Sequence, residues 1–474
     1  MSETRGIRSI ETQGAIRSSG GTDDSVADSL HYLSKGTTSA WDNVSRWLPV
    51  RNENCTFWWL KTGPQLAALL LQSGYNIHQQ YEALLFHYHV VVPCLGRRPV
   101  PSLASVAPTP EWKSFMTDDF SPIEYSWKWD IGEKLSSDEN SGPVIRYGIE
   151  AIGPYAGTAL DPLNQTSTKE ILYQLDLAVP AIDLTWFHHF AMTMYGTEQP
   201  AFTTERRETL DIGDSPRSSM FLAFELLRGQ LAVKAYFIPP NPTNMREAKD
   251  DFLGRLTGAI QSLGAFGPAQ NGIARWAALD EMVSFMNTDE HGQKLTPFMM
   301  GIDCVKASKS RLKVYARSPN TSFDSVVEVL TMGGRRPGFD ANIADLKELW
   351  RLTLGLPAGF STSENLPLPG HATATGGMCY FFDIKPGIAL PDIKMYIPVR
   401  HYGQSDLKVA YGLREFLEAR GRGAYAGGYI RGLEELAPFD RLQRSCGIQT
   451  YISCAFQDTG LSITSYLSPN IYQG

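Results

Sequence analysis

No stretch of this chain approaches the ~18 consecutive apolar residues that a membrane-spanning helix needs. Its first residues also carry no apolar segment of the signal-peptide kind. Net positive charge is missing too: 43 Lys and Arg face 50 Asp and Glu, a formal net charge of −7. That balance argues against a general binder of nucleic acid or of a membrane surface. Cysteine is scarce. Cys55, Cys94, Cys304, Cys379, Cys446 and Cys454 include no CxxC pair and sit among apolar or strand-like residues, the pattern of buried free thiols. A soluble cytoplasmic protein with no nucleic-acid and no membrane partner is expected.

Metal-binding patterns are equally thin. His87 and His89 flank Tyr88 on an expected helix, where residues two apart point away from each other. Asp118-Asp119 is followed by Phe, Ser and Pro, and Asp250-Asp251 has no third acid at helical spacing. No aspartate-rich metal cluster is supported, so protein cations must do any electrostatic work a metal would do.

What the chain does have is a repeated strand. Ser310-Arg-Leu-Lys-Val-Tyr315 alternates at period two, with Leu312 and Val314 on one face and Arg311, Lys313 and Tyr315 on the other. Leu231-Ala-Val-Lys-Ala-Tyr236 carries Lys234 and Tyr236, and Asp392-Ile-Lys-Met-Tyr396 carries Lys394 and Tyr396. The Lys-x-Tyr pairs lie 79 and 81 residues apart, and Arg146 precedes Lys234 by 88. Such a period means one supersecondary unit used several times. If the strands line a closed barrel, the same-face residues converge on one lumen. Converging cations bind an anion such as phosphate or diphosphate, and tyrosine faces stabilise a cation. A site needing both is one where an allylic diphosphate ionises.

The rest of the chain fits that unit. Residues 1–28 are rich in Ser, Thr, Gly and Asp without apolar period and read as a disordered tail. Residues 29–474 are expected to form a single domain, because the chain is 43% apolar and the repeat argues for one large closed core. Helices are expected at 29–47, 57–71 and 78–92, then strands at 123–129 and 144–149. Next come helices at 167–177 and 183–194, followed by strands at 221–227 and 230–237 joined at Arg228-Gly229. Helix pairs at 244–264 and 273–287, 322–332 and 340–354, and 405–420 and 424–436 alternate with strand pairs at 298–304 and 310–316, 376–384 and 392–398, and 448–456 and 461–467. Five hairpins give ten antiparallel strands, and turns this short exclude parallel crossovers.

The ordered stretches Phe57-Trp-Trp59 with Thr62-Gly-Pro64, Gly74-Tyr-Asn-Ile-His-Gln-Gln-Tyr81, Val92-Pro-Cys-Leu-Gly96 and Ser121-Pro-Ile-Glu124 match a known family. So do Gly157-Thr-Ala-Leu-Asp-Pro162, Val233-Lys-Ala-Tyr236, Ser308-Lys-Ser-Arg-Leu-Lys-Val-Tyr315 and Thr331-Met-Gly-Gly-Arg335. Over residues 55–474 the chain resembles the fungal indole prenyltransferases of the dimethylallyltryptophan synthase type. The resemblance implies an α+β fold: a ten-stranded antiparallel β-barrel surrounded by helices in repeated α-β-β-α units. It implies transfer of a dimethylallyl group from dimethylallyl diphosphate to an indole-containing acceptor of fungal secondary metabolism. The reaction is an electrophilic aromatic substitution with no cofactor and no metal required.

By that resemblance Glu124 accepts the indole N–H. Arg146, Lys234, Arg311 and Lys313 hold diphosphate, and Lys394, where relatives often have Gln, adds a cation. Tyr236, Tyr315, Tyr396, Tyr451 and Tyr466 shield the allylic cation. Phe221 stands where tryptophan-specific members have a lysine placed as the final base. That departure suits a larger acceptor, such as a tryptophan-containing cyclic dipeptide, another fused indole or a polycyclic phenol. The alternative in the same class is a phenolic, xanthone-like or tyrosine acceptor, and the remote one is a barrel that binds an aromatic metabolite without catalysis. A homodimer is left open.

Overall fold

The computed structural model describes residues 38–99, 110–129, 142–195, 218–239, 245–263, 276–367, 376–457 and 460–472. The expected tail at 1–28 and the start of the expected domain lie outside the described residues, as does the first part of the helix read at 29–47.

Alternation writes the barrel wall. On β1 (Ile123–Trp129) the side chains of Ile123, Tyr125, Trp127 and Trp129 are fully buried under the outer helices, while Glu124, Ser126 and Lys128 share the other face. The strands β2 (Val144–Ile149), β3 (Met220–Leu226), β4 (Leu231–Phe237), β5 (Thr296–Asp303), β6 (Leu312–Ser318), β7 (Met378–Ile384), β8 (Asp392–Ile397), β9 (Gln449–Gln457) and β10 (Gly460–Leu467) follow. Each pairs antiparallel with its sequence neighbours, and β10 closes on β1, so all ten form one barrel. The closed antiparallel barrel inferred from the repeat is therefore what the chain forms. Closure leaves no exposed strand edge.

The hairpins follow from turn chemistry. Between β3 and β4, Arg228 and Gly229 have φ of 43° and 99°, the left-handed pair that a tight two-residue turn requires. Leu227 donates its N–H to Gln230 across it at 2.8 Å. Three strand starts depart from the sequence reading by two residues: β5 begins at Thr296 rather than 298, β6 at Leu312 rather than 310 and β7 at Met378 rather than 376, and a register shift between Pro297 and Met299 marks a bulge in β5. Pro297 has no N–H to give the ladder, which is the physical reason for irregularity there.

Helices pack on the outside. α1 (Ser39–Trp47), α2 (Glu53–Gln72) and α3 (Ile77–Phe86) precede the barrel. Asn76 starts α3 with a reciprocal capping box to Gln79. The chain then continues through a π turn, His87–Val91. Buried His87 sits 2.7 Å from the Thr62 hydroxyl, its pKa lowered to about 3 by burial. His89 meets Arg51 instead, at 3.0 Å. The remaining long helices lie within a few residues of their expected positions, whereas the short helices Glu290–Gln293, Val399–Tyr402 and Phe439–Arg444 had no periodic signal. Among the cysteines, Cys94 and Cys446 are only half-buried, a correction to the expectation of six buried thiols. Among the described residues no helix is long and apolar enough to cross a membrane.

Candidate active site

The inward faces of the strands line a pocket that opens to solvent, with roughly 960 Å³ of empty space counting its open mouth. Glu124, Arg146, Phe221, Lys234, Tyr236, Tyr315, Tyr396, Tyr451 and Tyr466, all singled out from the sequence, line it. β6 shows how the wall is layered. Arg311, just before the strand, is followed at period two by Lys313, Tyr315 and Arg317, about 6.6 Å per step. Cations therefore lie below a tyrosine, with one more cation above.

The lower layer is a network of ion pairs. Glu225 on β3 accepts from Arg146 at 3.0 Å and from Lys234. Asp303, at the end of β5, accepts from Arg311 at 2.8 Å and from Lys313, and Arg311 also reaches Asp383 on β7. Burial opposes ionisation of Glu225, but Arg146 and Lys234 hold its carboxyl well below the usual range. Burial, seconded by the charge of Lys313, lowers Lys234 to about 8. Lys394 is buried, and among the described residues no carboxylate pairs with it; burial and then the charges of Arg146, Lys128 and Lys234 push its pKa well below the ordinary lysine value. Arg311, Lys313 and Lys394 do not border the cavity itself.

The middle layer is aromatic. Tyr236 stacks on Phe221 with centroids 4.3 Å apart and planes 4° from parallel. Tyr315 lies 6.0 Å from Tyr236 and 6.1 Å from Tyr396. Tyr396 in turn meets Tyr451 at 6.0 Å and Tyr466 at 5.5 Å. The Arg146 guanidinium sits 5.9 Å from the centre of the Tyr466 ring, linking this layer to the one below. Burial raises the pKa of Tyr236, Tyr315 and Tyr396, so all three stay neutral phenols.

Above the tyrosines the wall is mixed. Glu124, half-buried on the cavity wall, accepts a hydrogen bond from Thr450 at 2.7 Å. Burial raises its pKa to about 7, against the pull of that hydrogen bond and of the Arg400 charge. Phe115, Met116, Phe298, Met299 and Cys379 supply apolar surface. Asp119, one of the adjacent aspartates, is used structurally: it accepts from Thr117 at 2.6 Å, from Ser121 at 2.8 Å and from the Tyr472 amide at 3.2 Å. Among the described residues no group of three or more His, Cys, Asp or Glu is placed to hold a metal ion.

Sequence reasoning overlooked Glu225, Asp303 and Asp383, although Glu225 shares the inward face of β3 with Phe221 by simple alternation. It also passed over Arg317, two residues beyond Tyr315, and Arg400, which lies outside any strand.

A sequence profile described as tryptophan dimethylallyltransferase matches residues 54–432. The chain belongs to this family of aromatic prenyltransferases. Curated relatives agree along most of the length. Prenyltransferase anuH of Penicillium roqueforti is 37% identical, over 93% of this chain and 94% of its own. Xanthone prenyltransferase B of Emericella nidulans is 35% identical, over 93% of each. Among solved structures, AnaPT from Neosartorya fischeri superposes with a TM-score of 0.72 at 24% identity, over 91% of this chain and 98% of its own. NotF, solved in complex with brevianamide F and DMSPP, gives 0.71 at 21%, over 91% and 98%. These likenesses identify the fold as the prenyltransferase barrel.

Proposed function

We propose that the chain transfers a dimethylallyl group from dimethylallyl diphosphate to an aromatic acceptor without a metal. The observation that carries this reading is the layering of one lumen: cations beneath, tyrosines between, and a carboxylate with apolar wall above. Arg146 and Lys234 face the diphosphate, backed by Arg311, Lys313 and Lys394. A unit charge about 4 Å away is worth roughly 4 kcal/mol at an effective dielectric of about 20. Several such charges favour departure of the diphosphate.

The C1–O bond breaks and its electron pair leaves with the diphosphate. Tyr236, Tyr315, Tyr396, Tyr451 and Tyr466 surround the allylic cation, each face contributing about 0.5–2 kcal/mol, and they exclude water that would quench it. A ring carbon of the acceptor forms the new C–C bond. Glu124 accepts the acceptor's N–H or O–H, which enriches the ring in electrons. The substituted carbon then loses its proton and aromaticity returns.

An indole-containing acceptor is one reading, and the flat stack of Phe221 on Tyr236 suits a fused ring system larger than free tryptophan. A phenolic acceptor is the second, supported by the likeness, over 93% of each chain, to a xanthone prenyltransferase. The test is incubation of the purified protein, in EDTA, with dimethylallyl diphosphate and tryptophan, tyrosine, cyclic dipeptides, an indole diterpene and hydroxyxanthones. Mass spectrometry should show gain of one C5H8 unit that survives EDTA and disappears in Glu124→Ala. Absence of any product together with absence of diphosphate release would overturn the reading, and turnover of free tryptophan alone would remove the larger-acceptor part of it.

A further inference from the structure

One fully buried carboxylate lies outside the cavity and takes no part in the mechanism above. Glu150 directly follows β2, and its backbone N–H donates to the Pro122 carbonyl at 2.9 Å. One of its carboxylate oxygens accepts from the Trp112 indole at 2.7 Å and from the Asn164 amide at 3.1 Å. The other accepts from the Ser114 hydroxyl at 2.7 Å and from the Ser218 hydroxyl. Every one of these donors is neutral. Burial raises the Glu150 pKa, and the four hydrogen bonds oppose that rise. A buried carboxylate is costly where a neutral side chain could fill the same space. What the charge adds is grip, since hydrogen bonds to an ionised acceptor are about twice as strong as neutral ones.

That grip falls on the strap 112–116, which ends on the cavity wall. The Met116 N–H donates to the Ser114 hydroxyl oxygen at 3.2 Å, and the Phe115 N–H donates to the Ser218 hydroxyl oxygen at 2.8 Å. A serine hydroxyl has one hydrogen and two lone pairs. By taking both hydrogens, Glu150 aims the lone pairs that receive the strap. Phe115 and Met116 both line the cavity. The Phe115 ring meets Phe298 on β5, with centroids 6.2 Å apart. Met116 lies over Gly148, where an added Cβ would meet its terminal methyl at 2.7 Å. Gly148 pairs with Glu124 across β1 and β2, so this methyl covers the strand position beside the Glu124 carboxyl. Beyond Met116 the chain has a separate anchor, Asp119, which accepts from Thr117 and Ser121.

We propose that Glu150 is a positioning residue for the acceptor end: through Ser114 and Ser218 it fixes the strap, so that Phe115 closes against Phe298 and Met116 keeps water from Glu124. This rests on the prenyl-transfer reading and assigns what shapes the acceptor end of that site. Glu150 touches neither substrate. It sets how far Phe115 stands from Phe298, and hence how wide an acceptor ring enters. It also sets how dry the Glu124 carboxyl is. None of its hydrogen bonds reaches the cations at the other end of the lumen, so donor binding is independent of it.

The experiment uses the full chain and four variants, Glu150→Gln, Ser218→Ala, Ser218→Thr and Ser219→Ala. Ser218→Thr keeps the hydroxyl. Ser219→Ala breaks a hydrogen bond of the same kind, to the Leu163 carbonyl at 2.6 Å, that does not touch the strap, and so controls for lost stability. Glu124 is faced by Thr450, Arg400 and Asp118, which every variant retains. Its carboxyl is titrated by infrared difference against the same protein carrying Glu124→Gln, with no acceptor present. In Glu150→Gln and Ser218→Ala the midpoint should fall from about 7 toward the ordinary carboxylate range, because a loosened Met116 lets water in. Acceptor kinetics are read with tryptophan, a tryptophan-containing cyclic dipeptide and a dihydroxyxanthone. For each that forms product, KM should rise roughly tenfold in the same two variants, with kcat changed less. Ser218→Thr should restore both readouts, and Ser219→Ala should leave both at the wild-type value. Affinity for the thiolodiphosphate donor analogue should be unchanged in all four, which also reports that each is folded. A Glu124 midpoint that stays put in both Glu150→Gln and Ser218→Ala would overturn the proposal, as would an equal shift in Ser219→Ala. If no acceptor forms product and no diphosphate is released, the prenyl-transfer reading fails, while the Glu124 titration still decides the role of Glu150.

Discussion

At the scale of single residues, Glu124 carries the most testable chemistry. Its carboxyl titrates near 7 because burial disfavours the charged form, with Thr450 and Arg400 recovering part of that cost. The base form is present above the folded pKa. The rate constant kcat/KM is therefore expected to rise with pH through about 7 and level off above it. Thr450→Val removes a hydrogen bond to the ionised carboxylate, so the inflection should move upward. The stability consequence has the opposite sign. A carboxyl whose pKa is raised on folding stabilises the protein at low pH, and that contribution disappears as pH rises from the unfolded value to the folded one. Glu124→Gln should raise the melting temperature at pH 8 and leave it unchanged at pH 4. A flat pH–rate profile between pH 6 and 8 would mean that Glu124 does not titrate in the reaction.

At the scale of elements, the hairpins were readable and their meeting points were not. Period-two alternation told which side chains of β4, β6 and β8 face inward, so Lys234, Lys313, Tyr236, Tyr315 and Tyr396 could be named from the sequence. Alternation also marks Glu225 and Arg317 as inward. Their roles depend on what stands opposite, and that is set by barrel shear, which no single strand encodes. Arg400 belongs to a four-residue turn too short for any period. The bulge in β5 was hidden for a similar reason: it is a local repair around Pro297.

A neighbouring position on β5 shows what such geometry does for the site. Gly301 pairs with Tyr236, and a Cβ built there would meet two atoms of the Tyr236 ring at 2.8 Å. The glycine lets the ring lie across β5 and stack on Phe221. Gly301→Ala is expected to push Tyr236 off that stack without breaking the strand, since the backbone there is ordinary extended β. The tyrosine shield would then open. The measurement is partition of the donor between prenylated product and free dimethylallyl alcohol. The variant should lose roughly tenfold or more in kcat, about 1.4 kcal/mol, and release more alcohol per turnover; unchanged partition would mean that Tyr236 does not guard the cation.

At the scale of the whole molecule, a chain of net charge −7 concentrates cations inside its barrel. Arg146, Lys234, Arg311 and Lys313 face Glu225, Asp303 and Asp383, so that end of the lumen is already partly neutralised before any ligand arrives, whereas Lys394 has no carboxylate partner among the described residues. The pairing keeps the cations ionised and in place, because an isolated buried charge is costly. It also leaves the least compensated members poised to change protonation. Lys234 is lowered to about 8 and Lys394 lies well below its ordinary value, burial being the first cause for both. An incoming diphosphate favours the charged lysines and so raises both pKa values. Donor binding near pH 8 should therefore take up protons. Calorimetry of the thiolodiphosphate analogue in two buffers of different ionisation enthalpy reads this directly as a buffer-dependent apparent enthalpy. Uptake should shrink toward pH 6, where Lys234 is already charged, and donor affinity should weaken as pH rises through 8. In Lys394→Gln, uptake should fall while the pH dependence set by Lys234 remains. Identical apparent enthalpies in both buffers at pH 8 would show that the donor meets a fully ionised cation layer.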